Sequence, residues 1–184
     1  MIADFETPMK SNYQKTKTRE PLGEAGLFDY ATAALGRRMR TERELRRLMA
    51  LRAVPGEAGA QAMDAVVLRL KELRYLSDVR FAATYTRVRK EDHKLGRRRV
   101  EQDLAAKGVP RGIVAKQVGE AYADVDELKL AREYVERKRM AKPEGQKEQA
   151  RAMGRLLRAG FSSATVWKLL REWGVEAEEF ETEQ

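Results

Sequence analysis

The sequence predicts an all-α protein built of three tandem three-helix repeats that form an elongated, curved rod. Apolar residues recur at helical spacing along nearly the whole chain, as in the face formed by Met63, Val66, Val67 and Leu70. No segment shows the alternation of apolar and polar residues that a strand needs. Related segments recur at intervals of about 50 residues, which is typical of stacked arrays whose units bury their apolar faces against their neighbours.

The repeat is clearest in the second half of the chain. Residues 103–118 align without a gap with residues 155–170, at an offset of 52 positions. The helices before them also match, since residues 81–85 align with residues 130–134 at an offset of 49. A weaker copy precedes both.

These repeats divide the chain into three units at residues 25–76, 77–123 and 124–174. Residues 1–24 are polar and aperiodic and contain two prolines, so we expect a flexible arm there. Residues 175–184 form an acidic tail, for which two roles are open: it solubilises the terminus, as such runs usually do, or it competes with nucleic acid for the basic surface.

In the first unit, helical periodicity begins at about Leu27. Thr41 and Glu44 form a capping box that begins the second helix, and Pro55 lies in the break that follows it. A third helix is expected from about residue 59 to residue 76.

In the second unit, Ser77 caps the first helix. Gly96 begins the second helix and Gly108 ends it, and Pro110 begins the third. In the third unit, the corresponding helices are expected to begin at about residues 126, 146 and 163.

The net charge is unevenly distributed. The chain of 184 residues carries +8, but charges balance over the first 24 residues and the last 13 hold six glutamates and no base, so residues 25–171 carry +14. A basic body of this kind favours an anionic partner, of which nucleic acid is the commonest. The alternative is a surface that is simply solvated.

Enzymatic chemistry is not expected. The single histidine, His93, lies in a polar segment without a partner at metal-ligand spacing, which predicts a solvated loop residue. There is no cysteine and no phosphate-binding glycine loop, so we expect no catalytic residue, no metal and no cofactor. A chain without cysteine or a run of 18 apolar residues is expected to be cytoplasmic and free of membrane contact.

Two basic clusters are the candidate binding residues. The first basic cluster holds Arg37, Arg38, Arg40, Arg43, Arg46 and Arg47, and the second holds Arg87, Arg89, Lys90, Lys94, Arg97, Arg98 and Arg99. Because both lie at or before the middle helix of a repeat, we expect them to form a stripe about two units long on one side of the rod.

Local structure does not explain the second cluster. Arg97, Arg98 and Arg99 begin a predicted helix, where each cation costs a few tenths of a kcal/mol against the helix dipole. Pairs with Glu101 and Asp103 are available, but each exposed pair is worth only about 0.2–0.5 kcal/mol. Arginine forks suit bidentate contact with phosphate or carboxylate, which favours anion recognition. The aromatic residues, by contrast, are expected to pack in the core, with Trp167 or Tyr75 as the exceptions.

Three segments, in order, resemble the RecX family of recombinase regulators. In residues 35–49, an arginine-rich helix end precedes a Thr cap and Glu-Leu. In residues 70–89, a Leu-Ser-Asp cap precedes Phe-Ala. In residues 94–110, a Gly is followed by Arg and Leu and then by Lys-Gly-Val. Ser77 stands where the family often has an acidic residue, and Asp103 where glutamate is common.

The resemblance implies three tandem three-helix repeats and a partner rather than a substrate. It implies binding in the groove of the RecA–single-stranded DNA filament, with suppression of ATPase and strand exchange, and contact with single- and double-stranded DNA. This would place the chain in DNA repair, recombination and SOS control, as a monomer that joins the nucleoid when bound. Arg37, Arg38, Arg40 and Arg97 to Arg99 would then meet acidic recombinase surface or DNA phosphate, two alternatives that the residues leave open.

Two other classes of function remain compatible with the sequence. A general nucleic-acid-binding module of basic helical units would show the same salt-dependent affinity. A purely structural adaptor would show no DNA affinity, even at low salt.

Overall fold

The computed structural model describes residues 20–175, and within them the chain is helical apart from turns and one isolated bridge between Leu22 and Ala53. This confirms the all-α prediction. The helices are α1 (Glu24–Arg37), α2 (Glu42–Ala50), α3 (Glu57–Glu72), α4 (Asp78–Glu91), α5 (Arg97–Ala106), α6 (Arg111–Tyr122), α7 (Glu127–Arg137), α8 (Gln146–Arg158) and α9 (Ser163–Glu172). None of them has the length and apolar composition that crossing a membrane requires.

The helices pack in threes. In the groups α1–α3, α4–α6 and α7–α9, the third helix packs against both of the others. Each group holds its own apolar face inward, as the helical periodicity predicts. We call these groups units 1, 2 and 3.

Side-chain caps set four of the nine helix starts within residues 20–175. Thr41 and Glu44 form the predicted capping box, with the Thr41 hydroxyl accepting from the Glu44 N–H at 3.1 Å and the Glu44 carboxylate accepting from the Thr41 N–H at 3.3 Å. Ser77 and Ser162 each accept a backbone N–H of the following turn at 3.2 Å. These starts follow from local sequence alone.

Two boundaries differ from prediction. Helix α1 begins at Glu24, three residues before Leu27. Helix α3 ends at Glu72 rather than at residue 76, because Arg74 adopts a left-handed φ of 58° and the Leu76 N–H turns back to donate to the Leu70 carbonyl at 3.1 Å.

The described chain contains two hydrophobic cores. Unit 1 has its own, which includes Leu27, Leu45 and Leu70. Units 2 and 3 share one continuous core, in which Val100 of α5 and Leu156 of α8 belong to the same cluster. The difference arises at the junctions between units.

Units 2 and 3 meet through backbone. The Gly96 N–H donates to the Ala159 carbonyl at 2.9 Å, so the C-terminal end of α8 meets the N-terminal end of α5. A Cβ atom on Gly96 would lie 2.3 Å from the Gly160 carbonyl oxygen. A Cβ atom on Gly160 would lie 2.3 Å from the backbone nitrogen of Arg99. Gly160 also has a φ of +94°, which favours glycine.

Units 1 and 2 meet in the same relative position through polar side chains. The Thr41 hydroxyl donates to the Lys107 carbonyl at 2.8 Å, and the Lys107 ammonium pairs with Glu44 at 3.0 Å. Asp78, at the start of α4, accepts the Glu42 N–H at 2.9 Å. The C-terminal end of α5 therefore meets the N-terminal end of α2, as α8 meets α5.

Parts of the predicted arm and tail lie outside the described residues, namely residues 1–19 and 176–184. At the edge of the described range, the Leu22 N–H donates to the Arg52 carbonyl at 2.6 Å and the Leu22 side chain packs against the unit 1 core. At the other edge, Val175 is buried in the shared core of units 2 and 3.

Replacing Gly96 with alanine should destabilise the protein. The added methyl group would meet backbone atoms of Gly160, which move only if the two units separate. We expect Gly96→Ala to lower the free energy of unfolding by roughly 1–3 kcal/mol, measured by urea denaturation.

Gly119→Ala is the matched control. Gly119 lies within α6 with no heavy atom near the added methyl group, so alanine should stabilise the helix by roughly 0.5–1 kcal/mol. Equal urea midpoints for the Gly96→Ala protein and the wild type would contradict the close backbone contact.

The Glu44 carboxylate should make stability depend on pH. Burial raises its pKa, but hydrogen bonds from Lys107 and the Thr41 N–H outweigh burial and hold the pKa below its ordinary value of 4.5. The folded state thus binds this proton less readily than the unfolded state, so the stabilisation is present above pH 4.5 and is lost as pH falls through the folded pKa.

We expect Glu44→Gln to lower the free energy of unfolding by about 1 kcal/mol at pH 7 and by less at acidic pH. Glutamine can still accept the Thr41 N–H, so the variant isolates the charge. Glu120→Gln is the control, because Glu120 is exposed and makes no side-chain ion pair within residues 20–175. A Glu44→Gln effect that stayed constant from pH 7 to acidic pH would show that the charge does not matter.

Candidate anion-binding surface

Ion pairs engage five of the thirteen predicted basic residues. The pairs join Arg46 to Glu42 (2.8 Å) and Asp64 (2.6 Å), Arg87 to Glu91 (3.4 Å), Lys94 to Glu133 (2.7 Å), Arg97 to Glu101 (2.7 Å) and Arg99 to Asp103 (2.9 Å). All are partly exposed, so each contributes at most about 1 kcal/mol. The two i, i+4 pairs expected for Arg97 and Arg99 are both present.

Three further basic residues are held by other groups. Arg40 donates to the Ala34 carbonyl at 3.3 Å, and Lys90 donates to the Ala121 carbonyl at 3.0 Å. The Arg89 guanidinium lies 4.7 Å from the centre of the Tyr85 ring, a cation–π contact. These side chains have defined directions without being neutralised.

The remaining five make no hydrogen bond or ion pair within residues 20–175, and all are exposed. They are Arg37, Arg38, Arg43, Arg47 and Arg98. Four of them lie at the end of α1 or on α2, and Arg98 lies at the start of α5. Their guanidinium groups are available to an external anion.

The junctions between units explain how arginines are tolerated at helix starts. The carbonyl end of α8, with its partial negative charge, lies against the start of α5 and offsets the unfavourable dipole there. Glu127 adds a carboxylate nearby. Burial raises the pKa of Glu127, but hydrogen bonds from Ser162 and Thr165 and the charge of Arg98 together lower it below its ordinary value.

Two adjacent cavities, which together we call the groove, lie between the units. An apolar cavity of about 270 Å³ is lined by Met39 of unit 1 and by Phe81, Thr84, Tyr85, Val88, Arg89 and His93 of unit 2. A second cavity of about 360 Å³, which we call the cationic cleft, is lined by Arg89, His93, Leu95, Arg99, Asp103, Tyr134, Lys138, Arg155, Arg158 and Ala159. Because Arg89 and His93 line both cavities, the two are adjacent, one between units 1 and 2 and the other between units 2 and 3.

The structure separates residues that the sequence places together. Arg99 lines the cationic cleft, whereas Arg97 lines another cavity of about 540 Å³ along α5 and α6, together with Arg111. Two positions on a helix differ in direction by roughly 200°, so these neighbouring arginines face different sides. Arg46 and Lys94 are engaged by carboxylates of α3 and α7 instead.

Sequence reasoning missed four residues of the cleft, His93, Lys138, Arg155 and Arg158. The repeat offset of 49 could have identified Lys138, because it aligns with Arg89. Arg89 and Lys138 also each lie near the ring of the tyrosine four positions earlier in the chain. The Lys138 ammonium is 5.9 Å from the centre of the Tyr134 ring. No sequence pattern could have identified Arg155 and Arg158, since basic residues are spread evenly along that part of the chain.

The pKa of His93 is lowered by burial and by the positive charges around the groove. It lies in the loop after α4, as predicted, but it is half-buried rather than fully solvated. Burial lowers its pKa, and the charges of Arg89 and Arg137 lower it further, against a smaller opposing influence of Asp92. A neutral imidazole is therefore favoured in this position.

The aromatic rings of the groove are structural. Phe81 and Tyr134 are 7% and 6% exposed, and Phe161 is buried against Tyr134, which confirms that they pack in the core. The Tyr85 hydroxyl donates to Asp103 at 3.0 Å. Tyr75 is 60% exposed, as one of the two expected exceptions. The groove consequently presents cations rather than free rings.

Comparison with known families matches part of this architecture. A family model described as "RecX, second three-helix domain" matches residues 77–116, which hold α4, α5 and the first half of α6. A regulatory protein RecX from Deinococcus radiodurans is 30% identical over 159 residues, covering 86% of this chain and 73% of that protein.

Other relatives are longer than this chain. The regulatory protein RecX of Geobacillus kaustophilus is 29% identical over 161 residues, and the matched region covers 85% of this chain but 57% of that protein. For a Listeria welshimeri relative the matched share is 34%. The chain thus spans about a third to somewhat over half of the first curated relatives it matches. A crystal structure of RecX from Lactobacillus salivarius shares the fold, with a TM-score of 0.62 at 19% identity over 82% of this chain and 96% of that one.

The arginines without partners should be dispensable for folding. We expect Arg38→Gln, Arg47→Gln and Arg98→Gln each to change the free energy of unfolding by less than about 0.5 kcal/mol, because no hydrogen bond or ion pair within residues 20–175 is lost. Arg46→Gln, which breaks the pairs with Glu42 and Asp64, should cost about 0.5–1 kcal/mol. Urea denaturation of the four variants tests this ranking, and a larger loss for Arg98→Gln than for Arg46→Gln would contradict it.

Proposed function

This chain belongs to the RecX family of regulatory proteins, and we propose that it regulates the RecA recombinase by binding the RecA–single-stranded DNA filament. The proposed effect is mainly inhibitory, through suppression of ATPase and strand exchange. The proposed setting is DNA repair, recombination and control of the SOS response, in the cytoplasm and on the nucleoid when bound.

The observation that carries this proposal is the groove, whose two adjacent cavities lie between units 1 and 2 and between units 2 and 3, with five basic side chains lining the second. Elsewhere on units 1 and 2, five exposed arginines make no hydrogen bond or ion pair within the described chain. A filament repeats its acidic surface and its phosphates along one direction, so an extended row of cations can contact several repeats at once. Arginine favours such contacts, since its planar fork binds carboxylate or phosphate in a bidentate manner.

In the proposed mechanism, the protein acts by occupying the groove of the filament and catalyses no reaction. The three units would lie in the helical groove of the filament, with Arg37, Arg38, Arg40, Arg97, Arg98 and Arg99 against acidic protein surface or DNA phosphate. A rod held there would obstruct incoming DNA and hinder movement between neighbouring recombinase subunits. Electrostatic attraction would speed its association and make binding depend on salt.

Reversing charge at the start of α5 should abolish regulation. In an assay of RecA ATPase on single-stranded DNA with substoichiometric protein, we expect the wild type to inhibit. We expect the triple variant Arg97→Glu, Arg98→Glu, Arg99→Glu to lose inhibition while its circular dichroism retains the helical signal, because the surface charge there becomes repulsive to an anion.

The control is a triple variant with the same change in net charge, Lys116→Glu, Lys129→Glu, Lys168→Glu. These lysines are exposed on α6, α7 and α9 and line none of the cavities described above, so inhibition should persist. Full inhibition by the arginine variant would reject the assignment of Arg97 to Arg99. Absence of any wild-type effect at saturating protein would favour a general nucleic-acid-binding module.

A further inference from the structure

The cationic cleft concentrates charge between units 2 and 3. Its walls carry five permanent cations, Arg89, Arg99, Lys138, Arg155 and Arg158, and one carboxylate, Asp103. With His93 neutral, the lining has a net formal charge of +4 around a space of about 360 Å³. No equally charged cavity is found among those described for residues 20–175.

The chain itself does not neutralise this charge. Asp103 pairs with Arg99 at 2.9 Å and also accepts the Tyr85 hydroxyl at 3.0 Å. Arg89, Lys138, Arg155 and Arg158 have no carboxylate within ion-pair distance among the described residues. Like charges gathered in one cavity repel each other, so an anion in the cleft would relieve a cost that the fold carries.

Three of the five cations are oriented by neighbouring groups. Arg89 and Lys138 each lie over a tyrosine ring, and Arg99 is oriented by its pair with Asp103. Arg155 and Arg158 are three residues apart on α8, so they lie on one helix face. Side chains that are already directed lose less rotamer entropy when a ligand binds.

The groups that line the cleft suit an anionic ligand rather than a stacked nucleobase. The Tyr134 ring that lines the cleft is 6% exposed. The nearby Tyr85 ring, which does not line the cleft, contacts Arg89 and stacks with Phe81. Neither ring offers a free face on which a nucleobase could stack. The donors available are guanidinium and ammonium groups, which suit phosphate oxygens.

We propose that the cationic cleft is a binding site for closely spaced phosphate groups, with charge complementary to a triphosphate. Such a run of phosphates is available as the polyphosphate of a free nucleotide or as successive phosphates of one nucleic-acid strand. The site goes beyond the regulatory function proposed above, because it requires no recombinase and includes Lys138, Arg155 and Arg158 of unit 3.

The test uses the full chain without recombinase, titrated with inorganic tripolyphosphate at low salt by isothermal calorimetry. We expect saturable binding by the wild type. The double variant Arg155→Gln, Arg158→Gln should bind roughly tenfold more weakly or worse, because at least one charge-assisted hydrogen bond is lost. Both arginines are exposed and without partners in the described chain, so the variant should fold, which circular dichroism checks.

Lys116→Gln, Lys168→Gln is the matched control, because it removes the same charge outside the cleft, and its affinity should stay close to that of the wild type. Arg155→Lys, Arg158→Lys should retain most of the binding. Absence of tripolyphosphate binding, or equal weakening in the cleft and control variants, would overturn the proposal.

A second arm identifies the source of the phosphates. A fluorescent oligothymidylate is bound to the wild type and displaced with tripolyphosphate. Displacement, together with weaker oligothymidylate binding by Arg155→Gln, Arg158→Gln, assigns the cleft to a nucleic-acid strand. If the variant no longer binds tripolyphosphate but binds oligothymidylate as the wild type does, the cleft is assigned to a free polyphosphate. Since RecA is absent, these results stand apart from the outcome of the ATPase assay.

Discussion

The backbones of Gly96 and Gly160 touch where the C-terminal end of α8 meets the N-terminal end of α5, and the rest of the molecule depends on this contact. The Gly96 N–H donates to the carbonyl of Ala159, and neither glycine has room for a side chain. At this distance the apolar faces of units 2 and 3 merge into one core. The same approach brings Arg155 and Arg158 beside Arg89 and forms the cationic cleft.

The other junction repeats the geometry with different chemistry. Where α5 meets α2, Thr41, Glu44 and Lys107 connect the two units through hydrogen bonds and an ion pair. Gly108 faces the Arg43 side chain there rather than backbone atoms, and the cores of units 1 and 2 stay separate. Interfaces of this kind within a chain resemble transient protein–protein contacts, which favours movement of unit 1 relative to the other two.

The end-to-end arrangement of the middle helices also accounts for the charge pattern. A cation at an isolated helix start opposes the dipole, but here the start of α5 lies against the carbonyl end of α8. Arginines can therefore gather at the junctions at little cost to folding. Since each junction recurs once per unit, basic residues placed there accumulate along the rod, which suits a partner that is itself repetitive.

The sequence by itself determined the helical class, the repeat and the caps at Thr41, Ser77 and Ser162, because periodicity and capping act over about four residues. It also placed Arg37, Arg38, Arg43, Arg47 and Arg98 among the candidate binding residues, and all five are exposed. Only the tertiary structure decided that Arg97 and Arg99 face different cavities and that Lys138, Arg155 and Arg158 join Arg89 in one cleft. Those relations depend on the distance between two helix ends about 60 residues apart in the chain, which backbone contact sets and no local pattern encodes.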